Sequence, residues 1–166
     1  MVETIQKGNA DIWKVIETVT DPEIPVLTVV DMGIIREVVK LSDNGVKITI
    51  TPTYSGCPAM NMIEAQIKAA VSEAGYAPVE VETTLSPPWT TDWISEEGKR
   101  KLKEYGITPP QGSADKRTLS GDFEGIPCPF CDSTNTEMVS QFGSTPCKSL
   151  FKCKDCLEPF DYFKCH

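Results

Sequence analysis

The sequence predicts an α+β architecture, in which helices cover one side of a small sheet and a short metal-centred β ribbon follows. Three patterns carry that expectation. Residues 46–51 alternate, with Val46, Ile48 and Ile50 on one face and Lys47, Thr49 and Thr51 on the other. Met60, Ile63, Ile67, Ala70, Val71 and Ala74 form a stripe at helical spacing. Near the C-terminus, Cys128-Pro-Phe-Cys131 and Cys153-Lys-Asp-Cys156 form two CxxC pairs with 21 residues between them.

Taken in order, Asn9 suits the cap of a first helix in which Ile12, Ile16 and Val19 recur at helical spacing. Asp21-Pro22 ends it, because a residue before proline avoids the helical region. An apolar stretch, 26–30, leads through Asp31-Met32-Gly33 to a β-type run over 34–41. Asp43-Asn44-Gly45 is a hairpin signal joining that run to the alternating strand. The loop Thr51-Pro-Thr-Tyr-Ser-Gly-Cys57 follows, and Pro58 opens the striped helix, which Gly75 stops. A third strand, 78–85, sets Val79, Val81 and Leu85 against Glu80, Glu82 and Thr84. After the rigid turn Ser86-Pro-Pro-Trp89, a last helix over 93–105 turns Ile94, Leu102 and Tyr105 inward.

The expected organisation is therefore a domain over 1–105, a Gly/Pro/Ser-rich linker over 106–127 and a ribbon over 128–166. The ribbon falls near the size of about 40 residues below which an apolar core seldom suffices alone.

At 166 residues, 40% hydrophobic and 24% charged, the chain reads as a soluble globular protein. A net charge of -8 disfavours a nucleic-acid role, which calls for a basic face against phosphates. The N-terminus lacks the apolar run of a secretory signal, and no window reaches the roughly 18 apolar residues of a membrane helix. Seven cysteines without an export signal read as metal ligands and free thiols, which places the chain in the cytoplasm.

Each CxxC turn can aim two thiolates at one ion, so Cys128, Cys131, Cys153 and Cys156 are expected to complete a tetrahedral site for structural zinc. Iron or an iron–sulfur cluster accepts the same four thiolates and is the rival. Lys148, Lys152 and Lys154 are placed to offset the charge of such a centre. Cys147 and Cys165 fall outside the pairs, as core thiols or substitute ligands.

Cys57 is a separate case. It follows Gly56 and precedes a helix start, so a thiolate there faces unpaired N–H groups and the positive end of the helix dipole. A buried inert cysteine is an equally good reading of that position. The only histidine is His166, the last residue, so a Cys–His nucleophile lacks its base. Transient binding of iron or a cluster needs no base, only an exposed thiolate and neighbouring oxygens. Asp21, Glu23 and Asp31 could supply those oxygens, or they could serve as turn residues capping backbone groups.

The run from Asp21 to Gly33 and the loop from Thr51 to Met60 resemble the SufT-like domain family of cytosolic iron–sulfur assembly, over about residues 9 to 105. With the CPFC…CKDC ribbon ending in Phe160-Asp-Tyr-Phe-Lys-Cys165, the whole chain is similar to the accessory-subunit family encoded with bacterial phenylacetyl-CoA 1,2-epoxidase, a di-iron oxygenase. The resemblance implies a SufT-like fold, with Cys57 at the reactive-cysteine position and Asp21, Glu23 and Thr53 beside it. It further implies a non-catalytic role in phenylacetate degradation, helping to insert iron or an iron–sulfur cluster into the oxygenase or reductase subunits. A cluster at Cys57 could belong to one chain or be shared across a homodimer. The chain itself carries neither the Glu-x-x-His pairs of a di-iron site nor a Gly-rich dinucleotide fingerprint. The alternative role is an iron-binding electron-transfer or structural subunit of the complex.

Overall fold

A computed structural model describes residues 10–112 and 125–164. The expected cap Asn9, much of the expected linker, Cys165 and His166 lie outside the described residues. The chain divides into two compact units, Met1–Trp89 and Thr90–His166.

In the first unit, helix α1 (Ala10–Ile16) buries Ile12 and Ile16 and packs on a later helix, α2. Val19 is also buried, but past the helix end. The apolar stretch 26–30 forms turns rather than a strand. It buries Leu27 and Val29 and is closed by a bridge between Thr20 and Thr28.

Strands β1 (Ile35–Lys40) and β2 (Val46–Ile50) pair antiparallel, with Ile35 opposite Ile50 and Val38 opposite Ile48. Asp43 and Asn44 between them both take positive φ, 62° and 67°, as a tight hairpin matched to strand twist requires. Asn44 also donates through Nδ2 to the Gly75 carbonyl at 2.7 Å, tying the hairpin to the end of the following helix.

That helix, α2 (Ala59–Glu73), buries Ala59, Ile63, Ile67 and Val71 on one stripe. Its C-terminus closes as a Schellman motif: Gly75, at φ 95°, donates to Ser72 O and Tyr76 to Val71 O. Helix α2 returns the chain to β3 (Val79–Thr83), which runs parallel to β2. The result is a sheet of order β1-β2-β3 with a β-α-β crossover. Val46, Ile48 and Ile50 are fully buried on the inner face of the central strand. Leu85, expected inside, is exposed beyond the end of β3. Trp89 is buried, and its indole N–H donates to the Met32 carbonyl at 2.8 Å, so it serves packing.

In the second unit, helix α3 (Glu96–Glu104) is capped by Ser95, whose hydroxyl accepts from Gly98 N at 2.9 Å. It buries Leu102, with Ile94 buried just before it, whereas Tyr105 is exposed, contrary to expectation. A two-residue strand, β4 (Ile107–Thr108), follows directly. Strands β5 (Thr136–Ser140), β6 (Lys148–Cys153) and β7 (Pro159–Phe163) complete a sheet of order β4-β7-β6-β5. Pairing is antiparallel except between β4 and β7. The ribbon core is Ile126, Cys128, Phe151, Cys153, Phe160 and Tyr162, with Phe151 stacked on Phe160 and edge-on to Tyr162.

The two compact units meet at Trp89/Thr90, whereas the sequence sets its boundary after residue 105. Residues 107 and 108, assigned from sequence to a linker, instead pair with β7.

Replacing Ile67 by Ala should cost about 2–5 kcal/mol, because the side chain is fully enclosed and α2 is held to the sheet by this one stripe. Urea denaturation measures it, and a loss below about 1 kcal/mol would contradict the close packing inferred for the helix.

Candidate metal centre and the Cys57 loop

The two CxxC turns are built alike. Asp132 N donates to Cys128 O and Cys128 N to Ser133 O, both at 2.9 Å, while Cys153 N donates to Glu158 O at 3.0 Å. In each turn the residue after the second cysteine adopts the left-handed conformation, Asp132 at φ 59° and Leu157 at φ 66°. Aspartate tolerates that region, whereas a leucine there is strained.

These turns bring four sulfurs together, all within 4.8 Å of one another. The close pairs run between turns, Cys128 to Cys156 at 3.7 Å and Cys131 to Cys153 at 3.6 Å. A disulfide would need about 2.05 Å, so these are free thiols. Sulfurs about 2.3 Å from a tetrahedral zinc stand roughly 3.8 Å apart, close to the separations found. The donor set and spacing thus fit a zinc ion. Cys128 and Cys153 belong to the apolar core, whereas Cys131 is exposed and Cys156 half-buried.

Backbone N–H groups point at these sulfurs. Those of Cys156 and Asp155 stabilise the Cys153 thiolate against the cost of burial and bring its pKa down to about 7. Ser133 N–H reaches Cys131 and Glu158 N–H reaches Cys156. At Cys156 that pull is outweighed by burial and by the crowding thiols, which push it up to about 12. Four thiols this close do not ionise together without a cation among them.

Cys147 is buried, with its sulfur 3.0 Å from the Thr145 hydroxyl, and lies outside the four-sulfur group. The nearby lysines face carboxylates: Lys154 lies 3.2 Å from Glu137, and the buried Lys148 lies 3.9 Å from Asp161.

In the first unit, the Cys57 loop leaves the carboxyl end of β2 and enters the amino end of α2. Gly56 turns the chain at φ 81° with open space around it, so only its backbone conformation calls for glycine. Cys57 is half-exposed, and no side chain caps the helix at Pro58. The arrangement leaves a half-exposed thiol at the start of the helix.

The acidic loop is largely occupied by its own backbone. Asp21, buried, accepts from Glu23 N at 2.7 Å and Ile24 N at 2.9 Å through one oxygen. Asp31 accepts from Thr28 N while Thr28 Oγ1 accepts from Asp31 N. Glu23 and Thr53 are half-buried. Among the described residues, no hydrogen bond joins Asp21, Glu23 or Thr53 to the Cys57 sulfur.

One residue of this loop escaped sequence reasoning. Thr51 continues the alternation of Lys47 and Thr49 and so reads as outward-facing, yet it is 1% exposed. Its hydroxyl is buried with no hydrogen-bond partner among the described residues. An unpaired buried hydroxyl is costly, and this one stands where β2 runs into the Cys57 loop. No signal in the alternation could have found it.

Comparison with known proteins accounts for both units. A family model described as PaaD zinc beta ribbon domain matches residues 112–164, and one described as iron-sulfur cluster assembly protein matches residues 9–83. The chain is 45% identical, over 93% of its length and 92% of the relative's, to an Escherichia coli (strain K12) protein named as a putative subunit of 1,2-phenylacetyl-CoA epoxidase. The chain belongs to the PaaD family. Over 55% of its length, this PaaD-family chain is also 39% identical to a Porphyromonas gingivalis Fe-S protein maturation auxiliary factor, of which it covers 88%. The crystal structure of a DUF59 domain from Bacillus anthracis matches 57% of the chain and 90% of that domain, at TM-score 0.54 and 28% identity. The SufT-like fold and the ribbon of this PaaD-family chain thus agree with the sequence reading. Among the described residues, no helix is long and apolar enough to cross a membrane.

Gly56→Ala should lower stability by about 1–2 kcal/mol, since a side chain disfavours the left-handed conformation even in open space. Urea denaturation followed by circular dichroism checks this, and an unchanged midpoint would show that the turn can relax.

Proposed function

We propose that this chain is a non-catalytic accessory protein of a phenylacetyl-CoA 1,2-epoxidase system, acting in the cytoplasm to help insert iron or an iron–sulfur cluster into the oxygenase or reductase subunits. The observation that carries the reading is the half-exposed Cys57 ahead of an uncapped helix N-terminus, in a chain spanning nearly the full length of the E. coli relative.

The roles follow from what each sulfur can do. Cys57 supplies one soft donor, which iron accepts, at the start of a helix that no side chain caps. With one donor the iron or cluster is cargo, held briefly and passed on. Thr51 and Thr53 offer hard oxygens on the same loop, and Asp21 and Glu23 frame the neighbouring turn. Cys128, Cys131, Cys153 and Cys156 would hold zinc, which supplies folding energy to the ribbon and no chemistry. The ribbon would then serve as the docking module. The expected 1–105 domain, with its α3 segment counted in the second unit, would carry the cargo site.

Cys57→Ala should leave zinc content and thermal unfolding unchanged while lowering iron or cluster content in the co-expressed oxygenase subunits, read by metal analysis. Unchanged partner metal removes Cys57 from the mechanism. Cys156→Ser should abolish equimolar zinc binding and expose the ribbon to protease. A protease-resistant ribbon in that variant would overturn the structural-zinc assignment. A visible absorption band that persists in anaerobically purified Cys57→Ala protein would instead assign iron to the four thiolates and favour electron transfer.

A further inference from the structure

We propose that Asp155 is a positioning residue of the four-sulfur centre, fastening the second CxxC turn to the residues that follow the first. The inference rests on the reading that the four cysteines hold zinc. The Asp155 carboxylate accepts from the Ser133 hydroxyl through one oxygen and from Asn135 Nδ2 at 2.8 Å through the other. Ser133 Oγ in turn accepts from Asn135 N at 3.1 Å, and Lys154 N donates to Asn135 O at 2.9 Å. Both ends of the carboxylate are thus used, and both reach the same short segment.

The two residues joined are also among those whose backbone serves sulfur. Ser133 presents its N–H to Cys131, and Asp155 presents its N–H to Cys153. These two sulfurs are 3.6 Å apart across the turns. The side-chain bridge therefore holds the peptide positions from which the N–H···S bonds are made. Electrostatics argues the same way. A carboxylate between Cys153 and Cys156 in the chain adds negative charge beside thiolates, which would repel it. Charge compensation cannot explain it, whereas fixing the ligands can. The bridge lies at the surface, and the buried core of the ribbon contains none of its members.

The test uses the full chain as wild type, Asp155→Ala, Asp155→Asn, Ser133→Ala and, as a control, Glu137→Ala, which loses only its ion pair with Lys154. Zinc affinity is measured by competition with a chromogenic chelator, ligand geometry by the absorption bands of the cobalt-substituted protein, and folding by circular dichroism. Asp155→Ala and Ser133→Ala should bind zinc about 10–100-fold more weakly and alter the cobalt bands, with Asp155→Asn intermediate and Glu137→Ala like wild type. Wild type that binds no zinc would remove both the zinc reading and this inference. Wild type that binds zinc, with both bridge variants within about threefold of it or Glu137→Ala equally weakened, would overturn the inference alone. Should Asp155→Ala not fold, Ser133→Ala decides, since it deletes a single hydroxyl.

Discussion

The second half of the molecule depends on bringing four sulfurs to one point. The buried cluster at the centre of the ribbon has six residues, two of them cysteines of the quartet, beside strands of five or six residues. Apolar area on that scale does not offset the conformational entropy of ordering the segment. A structural zinc contributes on the order of 10–16 kcal/mol of apparent folding free energy, enough to reverse the balance. The sulfurs interleave between turns, 128 with 156 and 131 with 153, so neither turn can leave without exposing the other's ligands. Each turn sets one cysteine into the core, while Cys131 is exposed and Cys156 is half-buried against that core. A zinc ion held there would be coupled to the packing of Phe151, Phe160 and Tyr162 through Cys128 and Cys153.

The first unit places one half-exposed thiol on a loop. A β-α-β crossover does this by topology. The chain leaves the carboxyl end of β2 and must turn before α2, and such ends are where α/β proteins place ligand sites. Gly56 allows the turn and Pro58 fixes the helix start, so Cys57 is set by backbone geometry with no side-chain partner required. Burial of Ile48, Ile50, Ile63 and Ile67 behind it keeps that geometry rigid while the loop stays accessible.

Much of this was legible in the sequence because the signals are local. Two-residue alternation located β2, an Asp-Asn-Gly turn located the hairpin, and a helical stripe closed by glycine located α2. The CxxC spacing located the four sulfurs. What was illegible is long-range. Ile107 and Thr108 are too few to show a period, and only the distant β7 makes them a strand. That pairing also draws α3 into the second unit, although its amphipathic pattern reads equally well in the first. Leu85 and Tyr105 fit inward positions by spacing alone, but no element covers them. Thr51 is the reverse case, an apparent outward position that tertiary structure encloses.

The acidic turn constrains what a metal could find at Cys57. Asp21 gives one oxygen to two backbone donors, and Asp31 and Thr28 satisfy each other, so these side chains chiefly hold the turn. Iron bound at Cys57 would then find one sulfur there, with the Asp21 and Asp31 carboxylates already engaged by backbone donors. Iron and its clusters ask for about four donors, so the remainder must come from another molecule. A site that cannot complete a coordination shell alone is poor at storage and suited to transfer, because the receiving protein supplies the missing ligands at the moment of docking. The ribbon has the opposite design, with a full set of thiolates on one chain and no position left open for exchange. Ligand count therefore distinguishes the two units: four thiols converge in the ribbon, and one half-exposed thiol stands on the Cys57 loop.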